Sequence, residues 1–350
     1  MVLRKTAIAL TLLLGWASTA SAGPALLFDV ANGKVLYAED QDQPWHPASL
    51  TKIMTAYMTF EALRANKITL DQKIPTSANA HAQPPSKLGL PVGAEITVNL
   101  ALKALIVKSA NDAAVMLAEA IGGSEEAFMA QMNDAARRIG MTQTRFVNPH
   151  GLPAPEQVTT ARDLAKLTRV VVRDYPEYRA MWSMADMQIG RRRLRTHNGL
   201  LRTYEGADGL KTGFICDSGF NVVATATRDD RRLVAVVLGE YTSRDRSLRA
   251  ASLLEHGFKN YGWKEFFSST TVDSLPTSAD ATAVHSIRQH VASFACNPRR
   301  NAGASRAKQK RLRARNRDTV KAKSAATKGK SGAAASATKS SAAKSTTKSQ

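Results

Sequence analysis

The sequence predicts a mixed α/β (α+β) domain. A β-sheet is assembled from the two ends of the folded chain, and a helical subdomain is inserted between them. Two observations carry this. Strand-like apolar runs occur at residues 25–38 and again at 209–240, and between them apolar residues recur at three- and four-residue intervals. A third sets the scale: 350 residues, 43% of them hydrophobic, suffice for one large domain or two small ones with a sizeable core.

Residues 1–22 read as a secretory signal. Arg4 and Lys5 precede the apolar stretch Ala7 to Trp16, and Ala20-Ser21-Ala22 is a small-x-small cleavage site. The apolar stretch is short for a membrane span, which needs about 20 residues. The mature chain is therefore expected to begin at Gly23, exported to the periplasm or cell envelope. Ala25 to Val30 and Val35 to Ala38, joined through Asn32-Gly33, form a β-hairpin signal. Pro47-Ala48-Ser49 opens a helix through Lys52, Ile53, Met54, Tyr57 and Met58, with Met54, Met58 and Leu63 as core residues.

The middle is helical over Leu100 to Ile106, Asp112 to Ile121, Ser124 to Ile139 and Ala161 to Asp174. The turn-rich stretch Phe146 to Pro153 interrupts it. Strands return at Gly209 to Ile215, Asn221 to Thr227 and Arg232 to Glu240, the last two linked tightly through Arg228-Asp229-Asp230-Arg231. A helix from Ser243 to Tyr261, capped by Thr242 or Ser243, is expected to turn Leu248, Leu253, Leu254 and Phe258 inward. These elements place a folded domain at 23–263. A weakly structured extension follows at 264–296, with one short element around Val284 to Phe294. Residues 297–350 are rich in Lys, Ala, Ser and Thr with almost no large apolar residues and cannot bury enough surface to offset their ordering entropy, so disorder is expected there.

The formal net charge is +20, but from Arg299 onward sixteen Lys or Arg face a single acid, Asp318. The charge thus describes a tail rather than the folded domain. Such a tract can bind nucleic acid by counterion release, a poor use for an exported chain. Anionic lipids or wall polymers are the expected partners, with salt-sensitive binding, and an unpartnered solvated spacer is the alternative. Cys216 and Cys296 are the only cysteines. One bridge can be drawn between them, but two free thiols are expected because the surroundings of Cys296 look poorly ordered.

The chemistry lies in three motifs: Ser49-Leu50-Thr51-Lys52, Ser109-Ala110-Asn111 and Lys211-Thr212-Gly213. Each alone has a bland reading: a helical serine with a snorkelling lysine, a helix cap, an edge-strand lysine. Together they equip acyl transfer through a serine ester. Residues three apart on a helix share a face, so Lys52 can serve Ser49 as base, provided burial and a second cation, Lys211, depress its pKa. Ser109 would relay a proton beside Lys52. Asn111 would hold the lysine and a substrate amide. Gly213 admits a substrate backbone, Thr212 and Lys211 suit an anionic terminus, and the N–H groups of Ser49 and Phe214 suit an oxyanion. Seven histidines are present but no H-E-x-x-H, so neither a metal nor a cofactor is expected.

From about Ala25 to Trp263 the chain closely resembles the D-alanyl-D-alanine carboxypeptidases of the low-molecular-mass penicillin-binding proteins, the S11 serine peptidase family. The resemblance rests on the three motifs in their order. It extends over Pro47 to Thr55, Ser109 to Ala114, Asn148-Pro149-His150-Gly151-Leu152, Asn198 to Leu201, Asp208 to Gly213 and Gly219-Phe220-Asn221. It implies the penicillin-recognising, β-lactamase/transpeptidase-like fold, with a five-stranded antiparallel sheet flanked by helices. It implies removal of the terminal D-alanine from peptidoglycan stem peptides, with β-lactams as slow acylating inhibitors.

By position, the resemblance makes Ser49 the nucleophile and Lys52 the base, with Ser109 and Asn111 as the second catalytic element. Lys211, Thr212, Gly213, Phe214 and, more weakly, His197 then bind substrate. Departures are Ala110 where glycine is common and Phe214-Ile215 where a hydroxyl residue often follows. A D,D-endopeptidase shares all three motifs. A class A β-lactamase-like hydrolase would need a deacylating glutamate in a context that Glu156 lacks, and a non-catalytic wall-binding protein would not need the full motif set.

Overall fold

The computed structural model describes residues 23–267, 269–278, 283–293 and 295–296. The expected signal segment and basic tail lie outside the described residues. The chain enters β1 (Ala25–Asp29) and returns as β2 (Val35–Glu39), then forms α1 (Thr51–Arg64), β3 (Lys73–Pro75), α2 (Ala78–Ala82) and β4 (Glu95–Thr97). Helices α3 (Val98–Lys103), α4 (Asn111–Gly122), α5 (Glu125–Ile139), α6 (Ala161–Asp174) and α7 (Arg179–Trp182) follow. A small hairpin, β5 (Asp186–Ile189) with β6 (Arg192–Arg195), and α8 (Leu200–Thr203) lead into β7 (Ala207–Ile215), β8 (Gly219–Arg228) and β9 (Arg231–Glu240). The last elements are α9 (Ser243–Phe267) and α10 (Arg288–Ala292).

The sheet order is β2-β1-β9-β8-β7, every pair antiparallel. The two chain ends meet where β1 pairs with β9, from Ala25 opposite Val237 to Asp29 opposite Leu233. Leu233 to Leu238 of β9 are all buried, because α9 packs on β8 and β9 and α6 packs on β1 and β9. A strand covered on both faces loses the polar alternation of a half-exposed one. The β8–β9 turn holds Asp229 and Asp230 at φ 48° and 59°, the left-handed geometry that matches strand twist. Helix α1 is buried along nearly its whole length, from Thr51 to Phe60. It packs against α4, α5 and α6 and buries the polar Thr51, Lys52, Thr55 and Thr59 along with its apolar residues.

Three local expectations are corrected. Leu248 is 56% exposed, while Ala250, Leu254 and Tyr261 join the core. Leu248 lies two residues before Ala250, about 200° around the helix, and so faces away. Ser109 and Asn111 do not cap α4: Ala110 holds the cap position with no side-chain cap bond. Both cysteines are disulfide-bonded rather than free. Loose surroundings had argued for free thiols, yet Ile287 and Val291 are buried, Ile287 N–H donates to Asp217 O, and Arg288 grips the Asp217 carboxylate twice at 2.8 Å. Among the described residues no helix is long and apolar enough to cross a membrane.

Candidate active site

Ser49 sits in the single turn Ala48–Leu50 that leads into α1. Ala48 is held at φ 48°, a left-handed value that costs a non-glycine residue about 1–3 kcal/mol and persists only under surrounding constraint. The constraint is visible. Asn221 Nδ2 donates to His46 O at 3.1 Å, and Thr51 Oγ1 donates to Ala48 O at 2.9 Å. Gly151, at φ 82°, packs so closely that any Cβ there would collide with Ala48 O.

One helical turn on, Lys52 is 1% exposed, and its Nζ has three partners. It donates to Ser49 Oγ at 3.1 Å, Asn111 Oδ1 at 2.8 Å and His150 O at 2.5 Å. Two of these are fixed acceptors, and the third is a hydroxyl that can also donate. An ammonium satisfies all three by donating. A neutral amine donates to the two carbonyls and turns its lone pair to the serine O–H. Burial, followed by the charge of Lys211, holds the Lys52 pKa well below the ordinary lysine value.

The second motif divides its two side chains between the two lysines. Asn111 serves Lys52, anchored in turn by its Nδ2 to Pro84 O at 2.9 Å. Ser109, held at φ 59° in the bend before α4, accepts from Lys211 Nζ at 2.9 Å. The hydroxyl therefore meets Lys211, where the sequence reading set it beside Lys52.

Lys211, Thr212, Gly213 and Phe214 lie on β7, the sheet's edge strand. A Cβ on Gly213 would come within 3.1 Å of Ser49 N, so glycine lets the strand press against the serine turn. Lys211 is 2% exposed, and burial, with the Arg246 charge as a second cause, pushes it down to about 7. Between the serine turn and β7 opens a cleft of about 450 Å³, also lined by Ser109, Asn111 and His197. His197 sits exposed at the rim, where enclosing protein and then Lys211, Lys108, Arg246 and Lys52 push its imidazole down to about 4.

Two participants escaped the sequence reading. Arg246 lines the cleft from α9, 6% exposed, with Nη2 donating to His197 O at 3.4 Å and Nε without a hydrogen-bond partner. Burial lowers it to about 10. It stands in the arginine-rich stretch 244–249, and only the fold shows which arginine turns inward. The other is the His150 carbonyl, whose signal was the Asn148-to-Leu152 motif, although a backbone role has no residue type to betray it. The His150 ring accepts from Leu152 N–H at 3.2 Å, and burial pushes it to about 3. Among the described residues no group of three or more His, Cys, Asp or Glu is placed to hold a metal ion.

The family model described as D-alanyl-D-alanine carboxypeptidase matches residues 15–242. The chain is 38% identical over 266 residues to D-alanyl-D-alanine carboxypeptidase DacC of Escherichia coli, covering 74% of this chain and 64% of that protein. It is 32% identical to a D-alanyl-D-alanine endopeptidase of Pseudomonas aeruginosa, over 68% of this chain and 78% of that one. The crystal structure of E. coli penicillin binding protein 6B superposes with a TM-score of 0.66 at 36% identity, covering 68% of this chain and 77% of that one. The fold is thus that of the penicillin-binding, transpeptidase-like proteins. The chain spans slightly less than two thirds of the carboxypeptidases that it matches.

Proposed function

This chain belongs to the S11 family of D-alanyl-D-alanine carboxypeptidases, and from that premise we propose that it is a serine D,D-carboxypeptidase of the cell envelope. It removes the terminal D-alanine from peptidoglycan stem peptides. The observation that carries this reading is Lys52: a buried amine, depressed in pKa, 3.1 Å from the Ser49 hydroxyl and held there by two fixed carbonyls.

In the proposed reaction, neutral Lys52 takes the Ser49 proton as Oγ attacks the carbonyl of the penultimate D-alanine. The N–H groups of Ser49 and Phe214 receive the oxyanion. The carbon–nitrogen bond breaks as the proton held by Lys52 is handed through the Ser109 hydroxyl to the leaving amine, which returns Lys52 to its neutral form, and free D-alanine departs. Water, deprotonated by Lys52, then hydrolyses the ester and restores Ser49. Thr212, Lys211 and Arg246 bind the terminal carboxylate, and the empty donor at Arg246 Nε suits such an acceptor. His197 closes the rim beside them. A β-lactam would enter the same cleft and stop at the ester.

Export through residues 1–22 and attachment of the basic tail to anionic lipid or wall polymer belong to the same proposal. The match to the P. aeruginosa endopeptidase supports a second reading, hydrolysis of D,D-crosslinks at the same serine. Digestion of purified sacculi separates the two. Release of D-alanine from pentapeptides supports the carboxypeptidase. Conversion of crosslinked dimers to monomers without D-alanine release would replace it with the endopeptidase.

A further inference from the structure

The β5–β6 hairpin carries Arg191, Arg192, Arg193 and Arg195, all exposed around the buried Leu194. Most of the chain's positive excess lies in the tail, so this is a local concentration on an otherwise nearly balanced domain. One acid answers it: Asp186 accepts from Arg193 at 2.6 Å, and the charges of Arg193, Arg195 and Arg202 all bear on that one carboxylate. Arg191, Arg192 and Arg195 have no ion pair among the described residues. In the ladder Asp186 stands opposite Arg195, while Arg193 and Arg192 face Gln188 and Ile189, so a single acid offsets four arginines.

The hairpin also stands at the mouth of the cleft. Arg192 Nη1 donates to Leu88 O at 3.2 Å, two residues beyond the cleft-lining Ser86. Two residues after Arg195 comes His197, which lines the cleft and accepts from Arg246. Positive charge therefore runs from the hairpin through Arg246 to Lys211.

We propose that this hairpin is an electrostatic docking surface for substrate carboxylates that lie outside the cleaved D-Ala-D-Ala unit, so that the enzyme favours stem peptides bearing free acids over amidated ones. The inference rests on the D,D-peptidase reading of the cleft. Guanidinium groups suit carboxylates as forked donors. A field of one sign beside a cleft raises capture rates by about 10- to 10³-fold and weakens with salt.

The test uses the full chain and its Arg191→Gln/Arg193→Gln/Arg195→Gln variant, which leaves the Arg192 contact in place. Two synthetic pentapeptides ending in D-Ala-D-Ala, identical except for free carboxylates or carboxamides upstream, are compared by D-alanine release. The wild type is expected to favour the acid peptide by about 10-fold in kcat/KM at low salt, with kcat unchanged. Added salt should shrink the preference and the variant should lose it, while still taking one penicillin per chain on Ser49. Equal kcat/KM for both peptides in the wild type, or a preference that survives in the variant, overturns the inference and leaves the cleft reading intact. Loss of binding to anionic vesicles in the variant with unaltered peptide preference would also overturn it and assign the patch to a membrane surface. If the wild type releases no D-alanine and penicillin does not label Ser49, the cleft reading falls, and the inference with it.

Discussion

Two arginines of this protein are equally withdrawn from solvent and serve opposite ends. Arg162, on α6, meets Asp42 through two bonds of 2.6 and 2.8 Å, and its remaining donors reach Leu275 O and Pro276 O at 2.6 and 2.8 Å. Every charge and donor there is answered from within the fold. Arg246 has one long bond to a carbonyl, an idle Nε and no carboxylate among the described residues. The buried amines of Lys52 and Lys211 lie behind the same cleft. A buried charge without a partner costs several kcal/mol. The first arginine fastens the segment that leads to Ser49. The second keeps a donor that the fold leaves unused, which the proposed reading assigns to the substrate carboxylate.

The comparison can be broken or sharpened by substitution. The largest effect is expected at Lys52→Met. Penicillin acylation should slow by about 10⁴-fold through loss of the base, while stability holds or rises because a buried polar amine is replaced by an apolar side chain. Stopped-flow acylation and urea unfolding read the two quantities. Asp42→Asn should do the reverse, costing about 3–5 kcal/mol of unfolding free energy by leaving Arg162 unpaired, while the folded fraction still labels at Ser49. An unchanged urea midpoint would erase the contrast.

Arg246→Gln should lower kcat/KM for carboxylate-ended peptides by about 10²-fold without destabilising the protein. A peptide ending in an amide, which has no charge to offer Arg246, should lose far less. The smallest effect is with pH. Lys211 is charged below about 7, so carboxylate binding should weaken as pH rises through that value, whereas acylation needs neutral Lys52 and rises with pH. KM for anionic peptides should therefore climb above about pH 7, with titration of KM as the check. Since folded Lys211 binds fewer protons than unfolded lysine between about 7 and about 10.4, its stability cost should fade across that window.

Much of this was legible in the sequence. The hairpin at Asn32-Gly33, the three closing strands and the helices 124–139 and 161–174 follow from period and turn chemistry, which are local. Ser49 with Lys52 was legible because one helical turn fixes their separation. What stayed hidden is set by tertiary placement. The two side chains of the second motif part toward different lysines because Ser109 takes a left-handed backbone value that no motif spells out. Arg246, and not Arg244 or Arg249, lines the cleft once α9 is packed on β8 and β9. The His150 contribution is a carbonyl, which every residue has. The Cys216 reading failed for a related reason: Ile287 and Val291 bury only because distant partners receive them.

The central claim is that Ser49, activated by Lys52, forms the covalent ester. Acylation by penicillin followed by mass mapping tests it directly. The account predicts one adduct per chain, on the peptide containing Ser49, absent in Ser49→Ala and slowed about 10⁴-fold in Lys52→Met. An adduct on another residue, or labelling that survives Ser49→Ala, would contradict it.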